Sequence, residues 1–272
     1  MRLWIDTDVG TNPDDAVALL CAAGHRDVDL VGVSTVDGDT EWRAEIARTF
    51  VDAPVVPGAR LAARDVAASQ AEAFLAIGPL ENVARLLAAG ALPAYVCVMG
   101  GVVEPVHHRG TVRHVEHNFG SEPAAARAVI GDTPGLLLCP LDVTVRMRPS
   151  AGDLRAIVEA APVLGPMLDD WRARQRAAGV TDDDAAVRLH DPLALLALAG
   201  EPVVTTEPRP LTVDEDGRVD EDAGRGRVVD VVNDVDVVRA MERIVELVAR
   251  ALLNFSQLKC DPRAERAVCE RR

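Results

Sequence analysis

The feature that most constrains the fold is an alternation between short apolar runs and segments of helical spacing. Leu3 to Ile5, Leu30 to Val36, Val55 with Val56, Phe74 to Ile77, Tyr95 to Met99 and Leu136 to Leu138 read as buried strands. Between them, Asp14 to Gly24, Glu41 to Phe50, Asn82 to Ala89 and Ala124 to Ile130 read as helices, the first opening on acids and closing at a glycine. Strand, helix, strand in repetition predicts a parallel sheet.

Two segments break the rhythm. Val102 to His117 is rich in His and Arg, and Ala151 to Asp184 reads as polar helices ending in Asp182, Asp183 and Asp184. Both read as insertions over one edge of the sheet. Pro202 to Val232 alternates valines and Leu211 with turn residues around Asp216 and Gly217, which predicts a small C-terminal hairpin. A last helix from about Asp234 to Phe255 places Val238, Met241, Val245, Val248 and Leu252 on one face. Residues 1–258 thus read as one domain, followed by a charged tail over 259–272.

Composition narrows the chemistry. The 272 residues carry a formal charge of −14, which argues against a nucleic-acid polymer or an anionic membrane as partner. Lys259 is the only lysine among 29 basic residues, so a Walker A loop, a Schiff-base amine and a dehalogenase-type phosphatase lysine all lack their residue. Five cysteines, odd in number and never in a CxxC pair, suggest neither a zinc ribbon nor a disulfide framework, and with no apolar leader the reading is cytoplasmic.

The strongest local signal lies between the first strand and the first helix. Asp6, Asp8, Asp14 and Asp15 crowd into ten residues. Asp14 and Asp15 could simply complement the helix dipole, an effect of about 1 kcal/mol at most, but Asp6 and Asp8 fall outside that explanation. Carboxylates so close repel unless a cation neutralises them, and hard divalent cations prefer oxygen ligands. The spacing is not that of an EF-hand, whose glycine and glutamate positions hold Thr11 and Val17 here.

Further clusters follow in order: Gly78-Pro79-Leu80 with Asn82, Met99-Gly100-Gly101, Glu116 with Asn118 ahead of Glu122-Pro123, Leu141-Asp142-Val143-Thr144, and His190-Asp191-Pro192-Leu193. With the acidic loop, this ordered set resembles the inosine-uridine-preferring nucleoside hydrolases, by motif from Ile5 to about Leu196. The resemblance implies a single-domain open α/β fold, mostly parallel, with a Rossmann-like core, helices on both faces and a site at the carboxyl ends of the strands.

It also implies roles. Asp8, Asp15, the backbone carbonyl of Ile77 and Asp191 would hold one Ca²⁺, with a water and two ribose hydroxyls completing the shell. Asp8, touching that water, would be the general base, and His190 would protonate the departing base, its charged form favoured by neighbouring Asp191. Asp14, Glu116, Asn118 and Asp191 would bind the sugar, Met99 would line the pocket, and Asp6 would brace the loop from behind. The substrate implied is a small ribonucleoside, and the implied assembly a homodimer or homotetramer. No catalytic role attaches to the Leu141 to Thr144 segment, which reads as a structural turn.

This chain departs from the family pattern in places. Asp39 stands where an asparagine is usual, which would bring another carboxylate toward the metal shell and the sugar. His117 replaces a usual phenylalanine, and Gly110-Thr111 stands for the usual Gly-Asn. Trp42, Tyr95, Phe119 and Trp171 are the candidate rings for a nucleobase by position alone. The histidines at 107, 108, 114 and 117 lack zinc-ligand spacing and read as part of a lid. These departures leave two alternatives open: hydrolysis of a modified nucleoside or unusual ribosyl conjugate, and noncatalytic binding of a nucleoside or ribose.

Overall fold

The first strand alternates its side chains between two cores. Leu3 and Ile5 pack on one side of the sheet and Trp4 on the other, as the two-residue period of a strand requires. The computed structural model describes residues 1–108, 111–180 and 187–256. The tail expected over 259–272, the acids from Asp182 to Asp184, and Gly110 lie outside the described residues.

In chain order the elements are β1 (Arg2–Thr7), α1 (Pro13–Gly24), β2 (Asp29–Thr35), α2 (Thr40–Phe50), β3 (Val55–Pro57), α3 (Ala63–Ser69), β4 (Ala73–Ala76), α4 (Glu81–Ala88) and β5 (Tyr95–Met99). Then come β6 (Val106–His108), β7 (Thr111–Arg113), α5 (His117–Ser121), α6 (Pro123–Asp132), β8 (Leu136–Cys139) and α7 (Leu141–Thr144). The chain continues through α8 (Ala151–Ala160), α9 (Leu164–Ala177), α10 (His190–Leu198), β9 (Val204–Val213), β10 (Val219–Glu221), β11 (Arg227–Val235) and α11 (Val237–Ser256).

The strands form one sheet in the order β10-β9-β11-β8-β5-β4-β1-β2-β3. From β11 to β3 neighbours run parallel, while β9 and β10 are antiparallel additions at one edge. Helices cover both faces. Residues of α1, α9, α10 and α11 pack against Leu3, Ile5, Leu75 and Cys97, and residues of α3, α4 and α6 pack against Trp4, Phe74, Val96 and Val98.

The expected strands and helices of the first half are all present, with ends shifted by a residue or two. The C-terminal hairpin is more than an appendage. β11 lies parallel beside β8, with Asp230 opposite Leu137 and Val231 opposite Leu138, because its valines supply both cores: Val229 and Val231 face α6, and Val232 and Val235 face the α11 layer. The His-rich segment forms a small two-stranded sheet of its own, β6 with β7. The helix α3 is not legible in sequence, since Val66 is its one buried residue. No helix among the described residues is long and apolar enough to cross a membrane.

The last helix docks closely on the first. A Cβ built on Gly24, at the end of α1, would lie 2.0 Å from the carbonyl oxygen of Leu247 in α11. Gly24→Ala is therefore expected to destabilise the fold by about 2 kcal/mol, read as a lowered urea midpoint. An unchanged midpoint would show that the two helices separate without strain.

Candidate active site

Every expected site residue lies near the carboxyl ends of the parallel strands, where loops rather than ladders continue the chain. Thr7 ends β1 on the side facing α1, and its hydroxyl does two things there. It accepts a hydrogen bond from Val9 N at 3.1 Å and donates to Asp15 Oδ1 at 2.6 Å. Asp14 and Asp15 sit in the first turn of α1, after Pro13, where the free backbone N–H groups and the helix dipole favour negative charge. Asp191 sits likewise in the first turn of α10.

Two helix starts thereby aim three carboxylates at one point. Ligand oxygens from Asp14, Asp15 and Asp191 lie within 4.8 Å of one another, and all three residues are buried. Asp8 stands beside them, half-buried, its Oδ2 3.9 Å from Arg43 Nη1. Gly78 gives the Asp8 loop its room: a Cβ there would fall 3.0 Å from Asp8 N and 3.1 Å from Asp8 Oδ1.

The electrostatics are those of a site awaiting positive charge. Burial pushes Asp14 up to about 7 and raises Asp8, with Asp15 and Asp191 held well above the carboxylate range, and the neighbouring carboxylates add to each rise. Asp14 and Asp191 stand at hydrogen-bonding range, which two carboxyl groups reach only with a proton or a cation between them. Asp14 Oδ1 is buried with no hydrogen-bond partner. A buried, all-oxygen donor set with an unsatisfied oxygen fits a hard divalent cation.

Behind the loop, Asp6 is fully buried on the other face of β1. Its Oδ1 accepts from Ser34 Oγ at 2.5 Å and from Asn82 Nδ2 at 2.9 Å, and Trp4 Nε1 donates to the same serine oxygen at 2.9 Å. Burial raises Asp6 to about 7. It ties β1 to β2 and to α4, a bracing position of the kind expected.

The ends of β4 and β5 are joined by α5. Glu116 caps that helix, accepting from Asn118 N at 2.8 Å and Phe119 N at 3.2 Å, and also takes Gly101 N at 3.1 Å. Asn118 Nδ2 donates to the Met99 carbonyl at 3.1 Å and the Ile77 carbonyl at 3.3 Å. A carbonyl has two lone pairs, so the Ile77 oxygen keeps one for another partner. Met99 is 4% exposed and is mostly core.

Some expectations are corrected. Asp39 lies outside the acidic cluster: it is exposed and caps α2, its Oδ1 accepting from Trp42 N at 3.0 Å, because an aspartate just ahead of a helix satisfies an orphan N–H there. Nearer the cluster is Arg43, whose Nη2 pairs with Asp37 Oδ2 at 2.8 Å while Nη1 approaches Asp8. Of the four candidate rings, Tyr95 is at the amino end of β5, away from the site, and Trp171 and Phe119 are buried. Trp42 alone is both exposed and adjacent, packed on Gly10 of the acidic loop.

His190 opens α10, and its Nδ1 lies 2.8 Å from Thr144 Oγ1. Burial, reinforced by Arg188, lowers its pKa to about 3, so Asp191 does not bring the ring to its charged form. Thr7, Ser34, Arg43 and Thr144 escape sequence reasoning as site residues, because single hydroxyls and one arginine carry no spacing signal.

The model of the inosine-uridine preferring nucleoside hydrolase family matches residues 47–242. The chain belongs to that family. It is accordingly a hydrolase of N-glycosyl compounds. The match contains Ile77, Asn118 and His190-Asp191, whereas the loop from Asp6 to Asp15 precedes it. A non-specific ribonucleoside hydrolase, RihC, of Escherichia coli O6:H1 is 26% identical over 93% of this chain and 99% of its own length. Two solved structures share the fold: a plant nucleoside hydrolase, PpNRh1, with TM-score 0.76 at 18% identity over 91% of this chain and 98% of its own, and a purine-preferring ribonucleoside hydrolase from Gardnerella vaginalis, with TM-score 0.75 at 20% identity over 93% and 100%.

The raised carboxylates set a pH dependence. Asp6 and Asp14 hold a proton more tightly folded, at about 7, than unfolded, at 3.8. The cation-free protein therefore loses stability as pH rises from about 4 to about 7, and the loss persists above. Thermal melts in chelator should show Tm falling between about pH 4 and about pH 7, and CaCl₂ should raise Tm most at the upper end. A Tm in chelator that does not fall over this range would show that the cluster is neutralised by other means.

Proposed function

We propose that this chain hydrolyses the N-glycosidic bond of ribonucleosides, releasing free base and ribose, with Asp8 as general base and His190 as the donor to the leaving base. The carrying observation is the convergence of buried carboxylates from α1 and α10, with an unsatisfied oxygen, beside half-buried Asp8. Asp8, Asp15, Asp191 and the Ile77 carbonyl would hold Ca²⁺, an assignment supported by the all-oxygen donor set. When bound, the ion supplies the positive charge that offsets carboxylate repulsion and draws the hydroxyl oxygens of the sugar.

The remaining chemistry belongs to the protein. Breaking the bond between C1′ and the base builds an oxocarbenium-like sugar, which the negative field of the cluster stabilises. Asp8, the most accessible carboxylate of the group, takes the proton of the attacking water. Asp14 reaches the sugar from the first turn of α1. Glu116 and Asn118, already fixed by three and two hydrogen bonds to backbone atoms, meet the ribose with little left to reorganise, which favours catalysis by preorganisation. His190 is neutral at rest, and the same desolvation makes its imidazolium a strong acid toward the departing base.

The test is release of reducing sugar from a panel of common ribonucleosides and ribosyl conjugates, with CaCl₂ present. Asp8→Asn should lower kcat by about 100-fold or more, and chelator should abolish turnover reversibly. Sugar release no greater than that of the Asp8→Asn control would overturn the reading, and tight ribose binding without turnover would point to a binding protein.

A further inference from the structure

We infer that Thr144 is a positioning residue for His190, its hydroxyl holding Nδ1 of the ring so that Nε2 is the nitrogen presented to the departing base. The inference deepens the proposed function and rests on its reading of His190 as the proton donor. Thr144 is fully buried at the end of α7. Its Oγ1 lies 2.8 Å from His190 Nδ1 and 3.4 Å from the carbonyl oxygen of Leu141, to which it donates.

A hydroxyl has one proton and can accept as well as donate. With that proton directed at Leu141, the Thr144 oxygen accepts from Nδ1–H, giving a chain from the ring through the hydroxyl to a backbone carbonyl. Nδ1 then keeps its hydrogen in both states of the ring, and Nε2 alone gains or loses one. In the step, the C1′–N bond breaks and its electron pair stays with the base. Nε2 first takes a proton from solvent, so that the ring carries a hydrogen on each nitrogen, and that proton moves to the base, leaving a neutral ring still bonded to Thr144. The water oxygen bonds to C1′, and its proton passes to Asp8.

Backbone bonds tie the segments of the two residues together, Met147 N donating to Thr144 O at 2.9 Å. α7 is anchored by Leu141 N donating to Gly101 O at 2.9 Å, and Leu189 N, just ahead of His190, donates to Met147 O at 3.0 Å. Asp142, the other polar side chain of α7, is engaged elsewhere, accepting from Val103 N at 2.8 Å. The hydroxyl of Thr144 is thus the polar group that α7 gives to the histidine.

The test compares kcat and KM for the unaltered enzyme, Thr144→Val, Thr144→Ser, His190→Ala and Thr144→Val with His190→Ala. The substrates are inosine, uridine and p-nitrophenyl β-D-ribofuranoside, whose nitrophenolate departs without a proton. Thr144→Val should lower kcat on the nucleosides by about tenfold to 100-fold with KM little changed, and leave the aryl riboside within about twofold. Thr144→Ser should restore most of the loss, and Thr144→Val should cost nothing further once His190 is alanine. Equal losses on both kinds of substrate, or losses that multiply with His190→Ala, would overturn the inference. Should Thr144→Val not fold, ¹⁵N spectra of the unaltered protein decide: His190 protonated on Nδ1 supports the inference, and protonation on Nε2 alone overturns it. Should His190→Ala lower both kinds of substrate equally while the protein remains an active hydrolase, the donor assignment fails separately.

Discussion

The site depends on burying carboxylates faster than the protein supplies cations to meet them. Arg43 approaches this cluster at Asp8, at 3.9 Å, a long pairing for the charge buried there. Removing an ionised carboxylate from water without a partner is costly, and four together compound the cost. Helix starts at α1 and α10, the hydroxyl of Thr7 and the loop room left by Gly78 hold these groups together regardless. That repulsion is what the proposed cation would relieve.

The histidine works from the opposite premise. Where the carboxylates lack positive charge, His190 is partly buried and lies near Arg188, and both effects keep it neutral. Placing such a ring one residue before a cluster carboxylate separates the two ends of the reaction. In the proposed reaction Asp8 would accept a proton readily because its carboxylate is buried among negative charges, and His190 would release one readily because its cation is poorly solvated.

Much of this was legible in the chain itself. The parallel strands and their helices follow from apolar runs and helical spacing, and the acidic loop follows from four aspartates where capping explains two. Local rules were weaker where long-range contacts decide. Asp39 could not be told from a site carboxylate without seeing that it caps α2. The valines of β11 read as one arm of a hairpin, because nothing in their alternation reveals that β8 waits beside them. Thr144 looked like part of a turn, since its role depends on a residue 46 positions away.

That separation has a consequence for when activity can exist. Asp8 and Asp191 come from opposite ends of most of the chain, and the strand that completes the parallel sheet, β11, comes later still. During synthesis the ribosome must release the chain from Asp8 through α10 before both halves of the cluster can meet. No nascent fragment ending before α10 contains a complete site, so the polypeptide cannot act on nucleosides until that helix has been made.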